Sequence, residues 1–282
     1  NVEIIAIGNG TASRETESFI AEVIKENNLS TKYVIVSEAG ASVYSASELA
    51  IEEFPDLSVE QRSAISIARR IQDPLAELVK IDPKSIGVGQ YQHDVAQNKL
   101  NKSLDDVVVD AVNKVGVNLN TASASLLSYV SGLSKSITKN IIAYREDKGR
   151  FYSREELKKV SKLGPKTYEQ CVGFLRILDG ENALDMTPIH PESYDKALKL
   201  LDLMKMDTSK LGSDEIKEAI TNLDKLEISK QLDIDMYTLN DILDAFIAPL
   251  RDIRDDYQGL KLRDDIMPVS YTHLRAHETL SD

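Results

Sequence analysis

Two short turns in the middle of the chain carry residue types that can hold a phosphate group. Val130-Ser131-Gly132-Leu133-Ser134 recurs thirty residues later as Val160-Ser161-Lys162-Leu163-Gly164. Backbone amides at a helix N-terminus attract an anion, and a glycine lets it come close. The candidate phosphate contacts are the residues of these turns and the nearby lysines: Ser131, Gly132, Leu133, Ser134, Lys135, Lys139, Lys162, Leu163, Gly164 and Lys166.

The repeat also allows a purely structural interpretation. Each copy is predicted as helix, turn, helix, with helices at 121–130 and 134–147 in the first copy and at 153–160 and 165–175 in the second. Pro165 suits the first turn of a helix, where its missing N–H is not needed. Two helical hairpins could pack against each other without any ligand, so the spacing alone leaves both interpretations open.

The charges of the chain are unevenly distributed. Residues 112–180 carry 12 Lys+Arg and 6 Asp+Glu, a net of +6, although the whole chain has a net charge of −12. Residues 1–111 have a net charge of −8 and residues 181–267 of −9. A basic segment in an acidic chain indicates local phosphate contact rather than general adhesion to polyanions. A basic face that docks on its acidic neighbours would give the same counts.

Glu38 is the one acidic residue placed like a catalytic carboxylate. It follows the second of two buried strands, predicted at 2–7 and 32–37, which form a βαβ unit with the helix between them. Ligand sites of open α/β sheets lie at this end of the strands. Metal-dependent phosphodiester hydrolysis needs several converging acids, and Asp73 and Glu48 are poor companions. A solvated or helix-capping glutamate is therefore the simpler interpretation.

A glycine-rich turn, Gly8-Asn9-Gly10, follows the first strand. It could place phosphate at a helix N-terminus, but it lacks the P-loop lysine and the dinucleotide fingerprint, so a tight structural turn is favoured. Helical patterns fill most of the remaining chain, at 45–54, 58–72, 103–114, 193–203, 214–222, 228–232 and 236–245. The expected fold class is α/β followed by a mostly helical region.

Composition narrows the class of protein. The single cysteine excludes a disulfide framework and a cysteine-rich zinc module. No apolar run is long enough for a membrane span and no signal peptide is recognised, so a cytoplasmic location is expected. His273 and His277 have the i,i+4 spacing of a zinc site but no third ligand nearby. They lie in a tail at 268–282 that resembles translated adaptor sequence and is expected to be non-native.

The repeat resembles the tandem helix-hairpin-helix module. The amino-acid sequence at residues 117–123, 143–145 and 149–151 is similar to the competence-type versions of that module. Each copy keeps one of the two usual hairpin glycines, Gly132 in the first and Gly164 in the second. Longer stretches are similar to the bacterial Tex family of transcription accessory proteins, namely residues 37–48, 68–78, 87–95 and 163–171. This resemblance runs from residue 1 to about residue 267.

The Tex resemblance implies an order of domains. Residues 1–78 would be the C-terminal part of a YqgF, resolvase-like domain of the RNase H fold, and 79–111 a helical linker. Residues 112–180 would be the tandem helix-hairpin-helix module, and 181–267 an acidic helical domain. The opening strands of the resolvase-like domain and a closing RNA-binding domain are expected to lie outside this sequence.

The resemblance also implies a function, which is binding of DNA or RNA through backbone phosphates without sequence specificity. The transcription machinery is a further expected partner, and no cofactor, metal or membrane is expected. The alternative is a metal-dependent nuclease of the resolvase type. Only Glu38 matches a resolvase acid, and residues 62–68, the counterpart of the last acidic position, contain no carboxylate. We therefore expect no nuclease activity.

Overall fold

The computed structural model describes residues 2–250, which divide into two units at residue 89. The first unit is α/β and the second is mostly helical, so the predicted fold class is confirmed. Within these residues no helix is long and apolar enough to cross a membrane. The pair His273 and His277 and the tail at 268–282 lie outside the described residues.

The first unit starts with the predicted βαβ arrangement. Strands β1 (Ile4–Gly8) and β2 (Lys32–Val36) are parallel neighbours connected by helix α1 (Ser13–Glu26). Apolar side chains of both strands meet the apolar face of α1 in a buried cluster that contains Ile7, Ala21, Ile24 and Tyr33. The parallel pairing brings the C-terminal ends of β1 and β2 to one edge of the sheet.

Five helices complete the first unit: α2 (Ala41–Ser45), α3 (Glu48–Glu53), α4 (Val59–Gln72), α5 (Pro74–Leu78) and α6 (Pro83–Ile86). The helix predicted at 45–54 is present as α3 but starts three residues later, because Ser45 belongs to α2. The Ser47 hydroxyl accepts the Ala50 amide at 3.2 Å and donates to the Tyr44 carbonyl at 2.6 Å, so it caps a new helix and ends the previous one.

The second unit contains eight α-helices among its described residues: α7 (Gln97–Val115), α8 (Ala124–Leu127), α9 (Lys135–Lys148), α10 (Pro165–Cys171), α11 (Tyr194–Leu203), α12 (Asp214–Thr221), α13 (Lys225–Leu232) and α14 (Met236–Ile247). Two short strands also pair in parallel, β3 (Val117–Asn118) and β4 (Leu175–Arg176). They join the start and the end of the repeat, a long-range pairing that the sequence did not predict.

The first helix of each repeat differs from the prediction. The helix expected at 121–130 is only α8, because Ser123 accepts the Leu126 amide at 3.2 Å and so fixes a later start. The helix expected at 153–160 is a 3₁₀ helix over Arg154–Lys159. The second helices of both copies start where they were expected, at α9 and α10.

Arg154 is a buried charged residue at the centre of the second unit, with a relative exposure of 1%. Its guanidinium donates to the carbonyls of Leu175 at 2.8 Å, Thr187 at 2.6 Å and Ile189 at 2.7 Å, and to the Tyr194 hydroxyl at 2.6 Å. A buried charge is tolerated when it is well hydrogen-bonded, and Arg154 uses four of its five N–H groups. Arg154 therefore joins the end of the repeat to the segment that leads into α11.

Replacement of Arg154 by methionine should lower the free energy of unfolding of the second unit by about 3 kcal/mol or more, because several buried carbonyls lose their donor. Urea denaturation followed by far-UV circular dichroism measures the change. The control is Arg150→Met, which removes an exposed arginine and should cost less than about 1 kcal/mol. Equal stability of the two variants would contradict the structural role of Arg154.

Candidate nucleic-acid interface

The first turn of the repeat connects α8 to α9. Gly132 has a φ of +88°, a backbone conformation that favours glycine. The Leu133 amide then donates to the Val130 carbonyl at 3.1 Å, and Ser134 begins α9 as its N-cap, with its hydroxyl accepting the Ile137 amide at 3.4 Å. The turn thus reverses the chain and starts a helix within three residues.

The second turn follows the same backbone path with different residues. Lys162 occupies the positive-φ position at +65°, and the Leu163 amide donates to the Val160 carbonyl at 3.2 Å. Gly164 is the N-cap of α10 and has an ordinary φ of −79°, so no side chain caps this helix. The strained position therefore holds glycine in the first turn and lysine in the second, and Gly164 is not required by its backbone conformation.

The two turns are braced by each other's helices. An added Cβ on Gly132 would lie 2.8 Å from the Cβ of Gln170 on α10, so the absence of a side chain there permits protein packing. At the equivalent position of the other copy, Asn140 on α9 donates from Nδ2 to the Ser161 carbonyl at 2.7 Å. These two contacts fix the position of one turn relative to the other.

Asn113 on α7 also holds the first turn, a role that was not predicted from the sequence. Its Oδ1 accepts the Ser131 amide at 3.0 Å, and its Nδ2 donates to the Tyr129 carbonyl at 3.2 Å and to the Ser131 hydroxyl at 3.1 Å. Ser131 therefore uses its amide and its hydroxyl within the protein. An asparagine among aliphatic residues near a helix end carries no periodic signal that could have identified it.

The other predicted contact residues fall into two groups. Leu133 is half-buried and Leu163 is buried, so their side chains are part of the packing under the turns. The four lysines, Lys135, Lys139, Lys162 and Lys166, are exposed. In the part of the chain that the structure describes, none of the four forms an ion pair.

Most other basic residues of the +6 segment are already engaged. Arg154 and Arg176 are buried, and Arg145 donates to two backbone carbonyls. Ion pairs with nearby acids hold a further set: Lys148, Arg150, Lys158 and Lys159. The positive charge that remains for a ligand is therefore concentrated on the lysines beside the two turns and on Lys114.

Glu38 lies in the first unit, at the edge of the sheet where β1 and β2 end. Its carboxylate rests against Gly8 and Gly10, at positions that a side chain on either glycine would occupy. Its amide donates to Asn9 Oδ1 at 3.1 Å. The glycine-rich turn thus holds a carboxylate of the chain itself, in keeping with a structural turn.

No set of acids converges on Glu38. Among residues 2–250, no group of three or more His, Cys, Asp or Glu side chains is arranged to hold a metal ion. The buried polar residues of α4 are Arg62, Ser66 and Arg70. Arg70 donates to the carbonyls on either side of Glu38, those of Ser37 at 2.7 Å and Ala39 at 2.9 Å, so the helix that faces this loop contributes a cation.

Comparison with known families gives three matches along the chain. Residues 1–72 match the Tex protein YqgF-like domain, residues 112–176 match the helix-hairpin-helix motif, and residues 182–254 match an HHH domain. The third match covers most of the segment at 181–267, for which only an acidic helical domain was predicted.

Three relatives illustrate the extent of the similarity. YdcI of Bacillus subtilis is 58% identical over 268 residues, which are 95% of this chain and 37% of that protein. The transcriptional accessory protein Tex of Neisseria gonorrhoeae is 50% identical over 270 residues, or 95% of this chain and 35% of that protein. The chain belongs to the Tex family. The human S1 RNA-binding domain-containing protein 1 is 41% identical over 313 residues, covering 91% of this chain and 32% of that protein.

The HHH domain of this Tex chain has two turns with the same order of a positive-φ residue, an apolar residue and an N-cap, but with different caps. Lys205 and Asp233 have φ values of +55° and +50°, and each is followed by an apolar residue and then by an N-cap. Both caps are aspartates: Asp207 accepts the Ser209 amide at 2.8 Å, and Asp235 accepts the Thr238 amide at 2.9 Å. A carboxylate of the chain thus occupies the place where the basic turns carry Ser134 and Gly164.

The two hairpin glycines should respond differently to alanine. Gly132→Ala should lower the free energy of unfolding by about 1–3 kcal/mol, because φ is positive and the new Cβ meets Gln170. Gly164→Ala should change it by less than about 0.5 kcal/mol, since an added Cβ there meets no atom within 4 Å. Urea denaturation of both variants checks the difference. A larger loss of stability in Gly164→Ala than in Gly132→Ala would contradict this account of the two turns.

Proposed function

We propose that this Tex chain binds the sugar-phosphate backbone of DNA or RNA through the two basic turns, without sequence specificity. The observation that carries the proposal is the set of exposed lysines without ion pairs beside two turns that brace each other. Each turn supplies a helix start and two of the lysines. Lysine and amide contacts to phosphate position a nucleic acid but do not read its bases.

The lysines also argue against the docking alternative. A basic face that served to hold the acidic segment after residue 180 would use its cations in ion pairs with that segment. The ion pairs of residues 148, 150, 158 and 159 are instead made with acids of residues 147–179. In our proposal the HHH domain contributes little to phosphate binding, because Asp207 and Asp235 place negative charge at its turns.

The names of two relatives bear on the role of the whole protein. The chain spans about a third of the length of the curated relatives it matches. One of them is called a transcriptional accessory protein and another is named for an S1 RNA-binding domain. We infer a transcription accessory role in the cytoplasm, with RNA as a natural ligand beside DNA and with the transcription machinery as a partner.

A charge-reversal series tests the two turns. Lys166→Glu should weaken binding to duplex DNA by about tenfold at moderate salt, and Lys135→Glu by less, because Ser134 caps the first turn while the second is open. With about four phosphates neutralised, the slope of log affinity against log salt should be about −3.6 for the parent chain and smaller for the variants. Fluorescence anisotropy with DNA and RNA of unrelated sequences gives both values.

The matched control for this series is Lys199→Glu, the same change at an exposed lysine in the acidic segment, which should leave affinity unchanged. Gly164→Ala gives an independent test, because it should lower affinity at unchanged stability. Parent-like affinity in the double variant Lys135→Glu/Lys166→Glu would remove the proposed role of the turns.

We further propose that the chain is not a nuclease. Support comes from the isolation of Glu38, whose carboxylate rests on Gly8 and Gly10 while Arg70 braces its loop. Two-metal hydrolysis requires several acids at one point.

Incubation of the chain with magnesium or manganese should give no cleavage of branched DNA or of RNA–DNA hybrids, as followed by denaturing gel electrophoresis. The rate of substrate cleavage should equal the rate with the metal ion but without the chain. Metal-stimulated cleavage that is lost in Glu38→Gln would establish the nuclease alternative and reject our proposal.

A further inference from the structure

A cavity of about 540 Å³ lies within the second unit, away from the two basic turns. The basic segment contributes Lys114, Val115 and Arg176 to its wall, and the remainder comes from residues 188–193, α14 and the residues directly after it. Its volume is in the range of pockets that hold small organic ligands, and most such pockets combine an apolar lining with a few polar groups.

Arg176 is the unusual residue of this wall. Its relative exposure is 5%, and its Nη1 donates to the carbonyls of Gly173 at 2.5 Å and Leu175 at 3.3 Å. Its Nε and Nη2 have no hydrogen-bond partner among the described residues. The guanidinium lies over Gly116, where φ is +83° and an added Cβ would be 2.7 Å from Nε. Gly116 thus leaves the space that the guanidinium occupies.

The charge of Arg176 is not balanced by an acid. No ion pair to this side chain occurs within residues 2–250, and only its Nη1 is hydrogen-bonded there, so its charge lacks the compensation that Arg154 receives from its four acceptors. Burial and the nearby charge of Arg154 lower the pKa of Arg176 to about 9, so it still carries its charge at neutral pH. Lys114, on the same wall, is exposed and likewise has no ion pair in the described part of the chain.

We propose that this cavity binds a small organic anion, with its charged group on Arg176 and Lys114 and its apolar body against Ile189, Ile242 and Ala245. Two free donors on a buried guanidinium suit a carboxylate, phosphate or sulfonate. The ligand bears its charge at one end.

The acidic residues of α14 limit the ligand further. Asp241 and Asp244 line the cavity as well, so a ligand with a second negative group would be repelled. The proposal does not depend on nucleic-acid binding, since none of the lysines at residues 135, 139, 162 and 166 lines this cavity.

The test compares two fluorescent probes that share their rings and differ in charge. Anilinonaphthalene sulfonate carries one sulfonate, and phenylnaphthylamine is its neutral counterpart. Titration of the full chain should show one site for the sulfonate and weaker binding of the neutral probe. Failure of the sulfonate to bind at one site, or equal affinity for the two probes, would overturn the proposal.

Two exposed positions at the cavity give variants that keep the fold. Lys114→Met should weaken the sulfonate about tenfold, the value of one charge-assisted contact, and leave the neutral probe unchanged. Ala248→Phe should weaken both probes by filling space. The control Lys199→Met, which removes an exposed lysine elsewhere in the second unit, should change neither. Unchanged sulfonate binding in Lys114→Met would place the probe at another surface and reject the site.

Discussion

The Arg154 guanidinium donates four hydrogen bonds to groups from three separate segments of the second unit. It belongs to the 3₁₀ helix before the second basic turn, and its partners lie on β4, on residues 187–189 and at the start of α11. Because a buried guanidinium must keep its acceptors, these segments are held at fixed positions. The second turn, the β3–β4 pairing and the start of the HHH domain therefore depend on one side chain.

Part of this architecture could be predicted from sequence because it is local. The βαβ unit follows from two apolar runs around an amphipathic helix, and the starts of α9 and α10 follow from Ser134 and Pro165. The thirty-residue repeat indicates that two similar turns exist. The differences between the two copies are explained only by the structure, in which Gly132 and Lys162 occupy the same positive-φ position.

The features that could not be predicted from the sequence depend on partners that are distant along the chain. Asn113 reaches the first turn from α7, eighteen residues earlier, and β3 pairs with β4 across the whole repeat. Arg154 counts toward the +6 charge of its segment although it is buried. The net charge of the segment is therefore larger than the positive charge that a ligand can contact. The capping roles of Asp207 and Asp235 in the HHH domain could not be predicted either, because they depend on the turns that precede these residues.

Hydrogen–deuterium exchange of the full chain with and without duplex DNA tests the central claim most directly, because it reports on backbone amides at both turns at once. Our account predicts that DNA slows exchange in peptides covering residues 129–140 and 159–170 and leaves residues 194–247 unchanged. Protection confined to residues 194–247, with none at either basic turn, would contradict it.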